Sequence, residues 1–323
     1  MSFVHNDPEW GQLLSIVAAK HPEIGVAMVE KDYWVVHTLW SIQQAGFDIW
    51  FKGGTSLSKG FGLIHRFSED IDARLGEGAS GLTEPAFSIH NRKQGPPARD
   101  AWFGAVTTRL ADAIADCEVT RGLVDDEWVR GAEIRVAYPG RHVEGLPDSM
   151  VRDVKLEIGW ARVEPGSHVD ISSWVHDHLD HLDLSREYQD NRPRQVHCIH
   201  PLVTCVEKLD AIRKKFARAD LSAATFARHY EDCAWIVRRQ SELPALEGSL
   251  AELVRHMKET PEKKLLPGPV DPSLNPDDGP RWAEVRASLD AIDPMFWGER
   301  ITPDDLAAEL REFVARFTES ERA

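Results

Sequence analysis

The chain has 323 residues, of which 42% are hydrophobic and 28% charged, with a formal net charge of −15. That mixture excludes a disordered chain and leaves room for one large domain or two ordinary ones. The acidic balance repels nucleic acid at long range, so an RNA or DNA substrate requires a local basic surface.

No window approaches the ~18 apolar residues of a membrane span, and residues 1–30 lack a charged segment followed by a long apolar core. No membrane association is expected, and the expected compartment is the cytoplasm. Four cysteines, Cys117, Cys198, Cys205 and Cys233, form no C-x-x-C pair, which suits a reducing compartment and small core residues.

From Glu9 to about Ala45 the apolar spacing of three and four predicts two helices, the second being "EKDYWVVHTLWSIQQAG" and ending at Gly46. "FDIWFKGG" predicts a buried strand stopped by glycines, "SLSKGFGLI" a short helix or turn, and "DIDARL" a second strand. After the glycine-rich "GEGASGLTEP" comes an amphipathic helix, "RDAWFGAVTTRLADAIADC", then two further strands in "EIRVAYPG" and "MVRDVKLEIGW". The order predicts an α+β lobe over residues 1–165 with a mixed sheet of four or five strands.

From 166 to 323 the pattern predicts a mainly helical second lobe. "PLVTCVEKLDAIRKKFAR" starts with proline and puts Val203, Val206, Leu209, Ile212 and Phe216 on one face. "SAATFARHYEDCAWIVRRQ" follows with Ser222 as its N-cap, then a proline-rich loop over 258–280, and two amphipathic segments, the last capped by Thr302. No internal repeat is present.

The chemistry concentrates in "FKGGTSLSKGFGLIHRFSEDIDARL", residues 51–75. It is not a P-loop, because Ser58 stands where a glycine should precede Lys59 and Gly60 stands where a hydroxyl should follow. It is not a dinucleotide fingerprint either, since G-x-G-x-x-G is absent. What remains is a glycine pair, Gly53 and Gly54, small hydroxyls Thr55 and Ser56 at a helix start, and Asp70 and Asp72 at i and i+2 of a strand. Alternation puts both carboxylates on one face with Ile71 turned inward. Paired carboxylates suit Mg²⁺, which completes its shell with water and substrate phosphates, and helix-start N–H groups suit those phosphates. In "DVKLEIGW", Val154, Leu156 and Ile158 form the buried face, so Asp153, Lys155 and Glu157 share the other; either acid supplies a third carboxylate, the equipment for phosphoryl or nucleotidyl transfer.

The run "KGGTSLSKGFGLIHRFSEDID", with "EKDYWV" before it and "EKL" and "RHYEDCAWI" after it, resembles the AbiEii/AbiGii toxin family of nucleotidyltransferases over Glu30 to Ile236. The resemblance implies a polymerase-β-like minimal nucleotidyltransferase fold. It implies Asp70, Asp72 and Glu157 as metal ligands and catalytic groups, with Asp153 the alternative third carboxylate. Gly53, Gly54, Thr55 and Ser56, accompanied by Lys59 and Arg66, are implied at the nucleotide phosphates. Lys208 is implied to neutralise triphosphate charge and Asp232 to lie near the base, ribose or metal.

The implied activity is transfer of NMP from an NTP, with Mg²⁺ or Mn²⁺, to an acceptor hydroxyl of RNA such as a tRNA 3′ end. The implied setting is a toxin–antitoxin or phage-defence system, with an antitoxin encoded nearby that acts with or without direct contact. Residues 201–240 hold eight Lys or Arg against five Asp or Glu, a net of +3, which is the local basic surface an RNA would need. Without the resemblance, Lys208 reads as a solvated lysine and Asp232 as the i, i+4 partner of Arg228. "HDHLDHLD", with His176, His178 and His181, fits no closed zinc spacing. Two other functions use the same residues: a nucleotide-sugar glycosyltransferase holding Mg²⁺ on the D-x-D, and an NTP-binding regulatory protein without turnover.

Overall fold

The computed structural model describes residues 1–68, 70–86, 93–114, 116–122, 127–147, 150–259 and 263–320, the side chains of 318–320 apart. The chain forms two compact units, one of residues 1–60 and 67–198, the other of residues 61–66 and 199–323. Among the described residues no helix is long and apolar enough to cross a membrane.

The first unit begins with helices α1 (Trp10–Lys20) and α2 (Val26–Gln44), the latter entered through Gly25 at φ +78°. Strand β1 (Asp48–Lys52), the short turn α3 (Gly53–Thr55) and β2 (Asp70–Gly76) follow, then α4 (Gly95–Ala113), β3 (Glu118–Arg121), β4 (Gly131–Ala137), β5 (Val154–Gly159), β6 (Gly166–Val169), α5 (Trp174–His181) and β7 (Val196–Ile199). The strands form one mixed sheet in the order β3-β4-β5-β2-β1-β7-β6. β1 is antiparallel to β2 and parallel to β7, β2 is parallel to β5, and β4 is antiparallel to both β3 and β5.

Among the described residues seven strands replace the four or five expected. The extra ones, β3, β6 and β7, are four residues each, too short for alternation to stand out in sequence. β6 and β7 lie beyond residue 165, where the strand-rich pattern ends, and the compact units divide between Cys198 and Ile199. One face of the central strands is apolar and closed: Ile49, Phe51, Ile71, Ala73, Leu75, Ala132, Ile134, Val136, Val154, Leu156 and Ile158 are all buried. Their alternation in sequence dictates that the intervening residues share the opposite face.

Helix α2 is buried on every side, so the consecutive charges of "EKD" each lie inside. Successive helix residues point about 100° apart, and each charge therefore meets a different segment. Glu30 accepts from the backbone N–H groups of Arg141 (2.9 Å) and His142 (2.8 Å), Lys31 donates to the Val151 carbonyl, and Asp32 pairs with Lys59. Buried charges must be paired or hydrogen-bonded, and here the pairing fixes three loops to one helix.

The second unit is helical, with α6 (Pro201–Phe216), α7 (Arg228–Arg238), α8 (Leu250–Glu259), α9 (Pro280–Ala291) and α10 (Pro303–Ser320). Ser222 caps a short 3₁₀ turn before α7 instead of α7 itself, its side chain accepting from the Ala224 N–H. Thr302 Oγ1 accepts from the Asp305 N–H at 3.2 Å, the expected cap of α10. Part of the expected loop over 258–280 is taken up by the end of α8. The segment 61–66 joins this unit through a backbone bridge between Arg66 and Phe296 and a Trp297 N–H donating to the His65 carbonyl at 2.9 Å.

A buried polar chain lies in the first unit. Asn191 donates through Nδ2 to the Tyr33 hydroxyl (2.9 Å) and to His37 Nδ1 (2.7 Å), and its Oδ1 accepts from His176 Nε2 (2.7 Å). Ser173 Oγ lies 2.7 Å from His176 Nδ1, and His5 Nδ1 lies 2.7 Å from the Tyr33 hydroxyl. This is the role of the first histidine in "HDHLDHLD"; among the described residues no three His, Cys, Asp or Glu side chains are grouped to hold a metal ion. Accepting from Asn191 requires a neutral His37 ring, and burial pushes His37 down to about 3 and His176 to about 4. In the unfolded chain both return to ~6.5. The unfolded state therefore binds more protons as pH falls below that value, and stability present above it is lost toward the folded values. Denaturation at pH ~7.5 and ~5 should show the loss, and His37→Gln should lose about 2 kcal/mol less than the wild type over that interval. An equal loss in both proteins would show that His37 is not held neutral.

Candidate active site

The open face of the sheet carries the charged residues that alternate with its core. Lys52 on β1 stands opposite Asp72 on β2, Asp72 opposite Glu157 on β5, and Glu157 opposite Glu133 on β4. This single row crosses four strands. In the next row Asp70 stands opposite Lys155, and Lys155 opposite Arg135. β5 begins at Val154, so Asp153 precedes the strand and Glu157 is the acid in register with Asp72.

Lys155 Nζ lies 2.8 Å from Glu157 Oε1 and 3.2 Å from Asp70 Oδ2. Burial opposes its charge, but the two carboxylates push its pKa up to about 12. The other oxygen of Asp70, Oδ1, is buried with no hydrogen-bond partner among the described residues. Burial pushes the Asp72 carboxyl up to about 7; Lys52 opposes this and Glu157 and Asp70 add to it. A buried, crowded carboxylate of this kind gains from any added cation. The donor types suit a divalent ion, with hard oxygens on Asp70, Asp72 and Glu157 and one of them unsatisfied, but the three are not grouped around one point, the Lys155 ammonium standing within 3.2 Å of both Asp70 and Glu157. Lys52, Asp72, Glu133, Glu157 and Trp160 line a cavity of about 340 Å³ over this row.

The turn after β1 is shaped around Asp72. Gly53 has φ +77°, and a Cβ there would come within 2.8 Å of Asp72 Cγ. Glycine meets both demands, a left-handed backbone and a close approach. The Thr55 and Ser56 hydroxyls, expected at phosphates, are turned inward. Thr55 Oγ1 donates to the Asp70 and Ser68 carbonyls (2.5 and 3.1 Å), and Ser56 Oγ to the Gly53 carbonyl (3.0 Å). They lock the turn to the start of β2. Lys59, also expected at phosphates, pairs with buried Asp32 and lies 4.3 Å from the centre of the Trp174 ring, whose backbone N–H donates to Asp32 Oδ2 at 2.9 Å. Burial raises the Asp32 pKa against the pull of Lys59.

In the second unit, Arg66 grips Asp232 through two bonds, Nε to Oδ1 at 2.7 Å and Nη2 to Oδ2 at 2.9 Å. Lys208 Nζ reaches the same Oδ2 at 2.9 Å and lies 3.3 Å from His229 Nδ1. Burial alone would raise the Asp232 carboxyl, but the Arg66 and Lys208 charges override it and hold the carboxyl well below the usual range. Asp232 is thus a buried counter-ion of Arg66 and Lys208, not the surface partner of Arg228, and these three side chains together carry one positive charge. Around them the basic segment is largely neutralised: Arg213 and Lys214 pair with Asp210, Arg218 with Asp220, Arg238 with Glu309 and Arg239 with Glu242.

Lys52, Glu133, Lys155 and Trp160 were missed as site residues. Alternation in "GAEIRVA" already puts Glu133 outward, but only strand pairing brings it beside Glu157.

The family model described as the nucleotidyl transferase AbiEii toxin of type IV toxin–antitoxin systems matches residues 39–318. Among solved structures, the chain is similar to terminal uridylyl transferase 4 from Trypanosoma brucei with bound dUTP, at 14% identity and a TM-score of 0.23, over 98% of this chain and 68% of that one. The same enzyme with bound UPU is similar at 10% identity and a TM-score of 0.26, over 97% and 96%. No curated protein matches the chain.

Gly53→Ala should cost about 1–3 kcal/mol of folding stability, and distinctly less in an Asp72→Ala background, where the carboxyl group no longer blocks the added methyl group. Urea denaturation of the four proteins in this cycle measures the coupling; equal costs in both backgrounds would show that the approach to Asp72 is not what requires glycine.

Proposed function

The chain belongs to the AbiEii family of nucleotidyl transferase toxins of type IV toxin–antitoxin systems, and from that premise we propose that its open sheet face transfers NMP from an NTP to a hydroxyl at an RNA end, a tRNA 3′ terminus being the favoured acceptor. The observation that carries the reading is the acidic row: Asp72 and Glu157 in register, Asp70 one row away with an unsatisfied oxygen, and Asp72 raised to about 7.

Asp70, Asp72 and Glu157 would hold Mg²⁺ or Mn²⁺. Bound there, the ion neutralises triphosphate charge and makes the acceptor hydroxyl more acidic. The rest is done by the chain. The peptide groups of Gly53, Gly54, Thr55 and Ser56 face the phosphates, while the inward hydroxyls of Thr55 and Ser56 keep the turn rigid. The Glu157 carboxylate takes the acceptor's proton; the acceptor oxygen bonds to the α-phosphorus, the bond from that phosphorus to the β-phosphate's bridging oxygen breaks, and pyrophosphate leaves with the electron pair. Lys155 limits repulsion between Asp70 and Glu157 in the resting protein. Within the second unit Arg66 and Asp232 fix the position of the Lys208 ammonium, and in the first Lys59 with Asp32 steadies the turn.

In this reading the toxin blocks growth by capping RNA ends, in a toxin–antitoxin or phage-defence setting with an antitoxin encoded nearby. The net +3 of residues 201–240 supports an RNA acceptor, although ion pairing within that segment leaves the sheet face as the stronger candidate for holding the RNA end.

Incubation with each radiolabelled NTP, Mg²⁺ and total RNA should label RNA. Asp70→Ala, with unchanged circular dichroism, should lower labelling by at least ~10²-fold and abolish growth inhibition on induction. Label on protein alone, or toxicity retained by Asp70→Ala, would overturn the reading.

A further inference from the structure

Trp160 follows the last residue of β5 and is 38% exposed, at the rim of the cavity that contains Asp72 and Glu157. Indoles are mostly buried in folded chains, and this one has no ring or cation stacked on it among the described residues. Next to it the sheet is bare. Gly131 and Gly159 stand opposite each other on β4 and β5, in the row beyond Glu133 and Glu157 and on the same face. A cross-strand glycine pair gives up side-chain packing and weakens both strands; here it leaves a flat backbone floor between an indole and a carboxylate.

The polar lining restricts what can occupy this space. Glu133, Glu157 and Asp72 line the cavity with Lys52, and Glu157 and Glu133 pair with Lys155 and Arg135 beside it, so the polar lining is mostly hydrogen-bond acceptors. Carboxylates accept hydrogen bonds. The fitting occupant donates hydroxyl hydrogens at the acidic end and offers a planar ring at the indole end. A nucleoside has those parts in that order, and a nucleoside whose hydroxyl lies at Glu157 is the one about to be extended.

We propose that Trp160, over the Gly131–Gly159 floor, is the stacking platform for the terminal nucleobase of the acceptor strand, with the terminal ribose hydroxyls directed to Glu157 and Glu133. This rests on the nucleotidyl-transfer reading above and adds to it where the acceptor lies. Stacking on an aromatic face tolerates any base, so the platform binds the strand end without reading sequence, and a 2′-hydroxyl within reach of a carboxylate favours RNA over DNA.

The test is equilibrium binding of a short single-stranded RNA carrying 2-aminopurine at its 3′ end, with EDTA and without NTP, followed by quenching of the fluorescent base. The wild type should quench it, Trp160→Phe should retain most of the effect, and Trp160→Ala should bind about 5- to 150-fold more weakly at an unchanged melting temperature. In turnover, Trp160→Ala should raise KM for RNA and leave KM for NTP alone. Quenching retained by Trp160→Ala, or a raised KM for NTP alone, overturns the platform. RNA labelling by the wild type together with that result leaves the transfer reading standing. Quenching that needs Trp160 in a wild type that labels no RNA keeps the platform and removes the transfer reading.

Discussion

Like charges crowded on one sheet face are the constraint on which the first unit depends. At ~4 Å and an effective dielectric of ~20, two carboxylates repel by roughly 4 kcal/mol, and Asp72 has Glu157 directly opposite and Asp70 two residues away on its own strand. The surrounding structure offsets this cost. Lys52 and Lys155 bring positive charge to the row, Thr55 fixes the start of β2, and the turn at Gly53 folds back against Asp72 with no side chain between them. Lys59 then ties that turn to Asp32 on α2, so the acidic face is referenced to the most deeply buried helix of the unit.

Arrangements of this kind conserve preorganisation at the expense of stability. Removing water and placing acids side by side disfavours the resting protein, and Lys52 and Lys155 relieve part of that penalty. The second unit shows the opposite balance: one buried carboxylate, Asp232, is over-satisfied by Arg66 and Lys208. The segment 61–66 makes Arg66 part of that unit although it lies only a few residues from Asp70 in the chain. Acid-rich chemistry and its cationic counterpart are thus built from adjacent sequence but packed into different cores.

Much of this was legible in the sequence, and the parts that were not have a common cause. Alternation alone placed Asp70, Asp72 and Glu157 outward and Ile71, Leu156 and Ile158 inward, because period-two patterning is a local property. The helices of the second unit followed from period as well. Register is not local: Glu133 and Trp160 become part of the site only when β4 and β5 pair. Nor are ion pairs between distant residues, and Lys59, Arg66 and Asp232 have partners that no spacing rule reveals. Glu30, Lys31 and Asp32 are the sharpest case, since three adjacent charges ordinarily mark a solvated surface and here all are buried.

Asp70, Asp72 and Glu157 are the proposed donors to a divalent cation. This role is tested most directly by titrating Mn²⁺ into the protein near neutral pH and following the electron paramagnetic resonance signal of the free ion. The wild type should remove Mn²⁺ from solution, and Asp72→Asn, which keeps the shape and loses the charge, should bind it at least ~10-fold more weakly. Equal uptake by the two proteins would contradict the account.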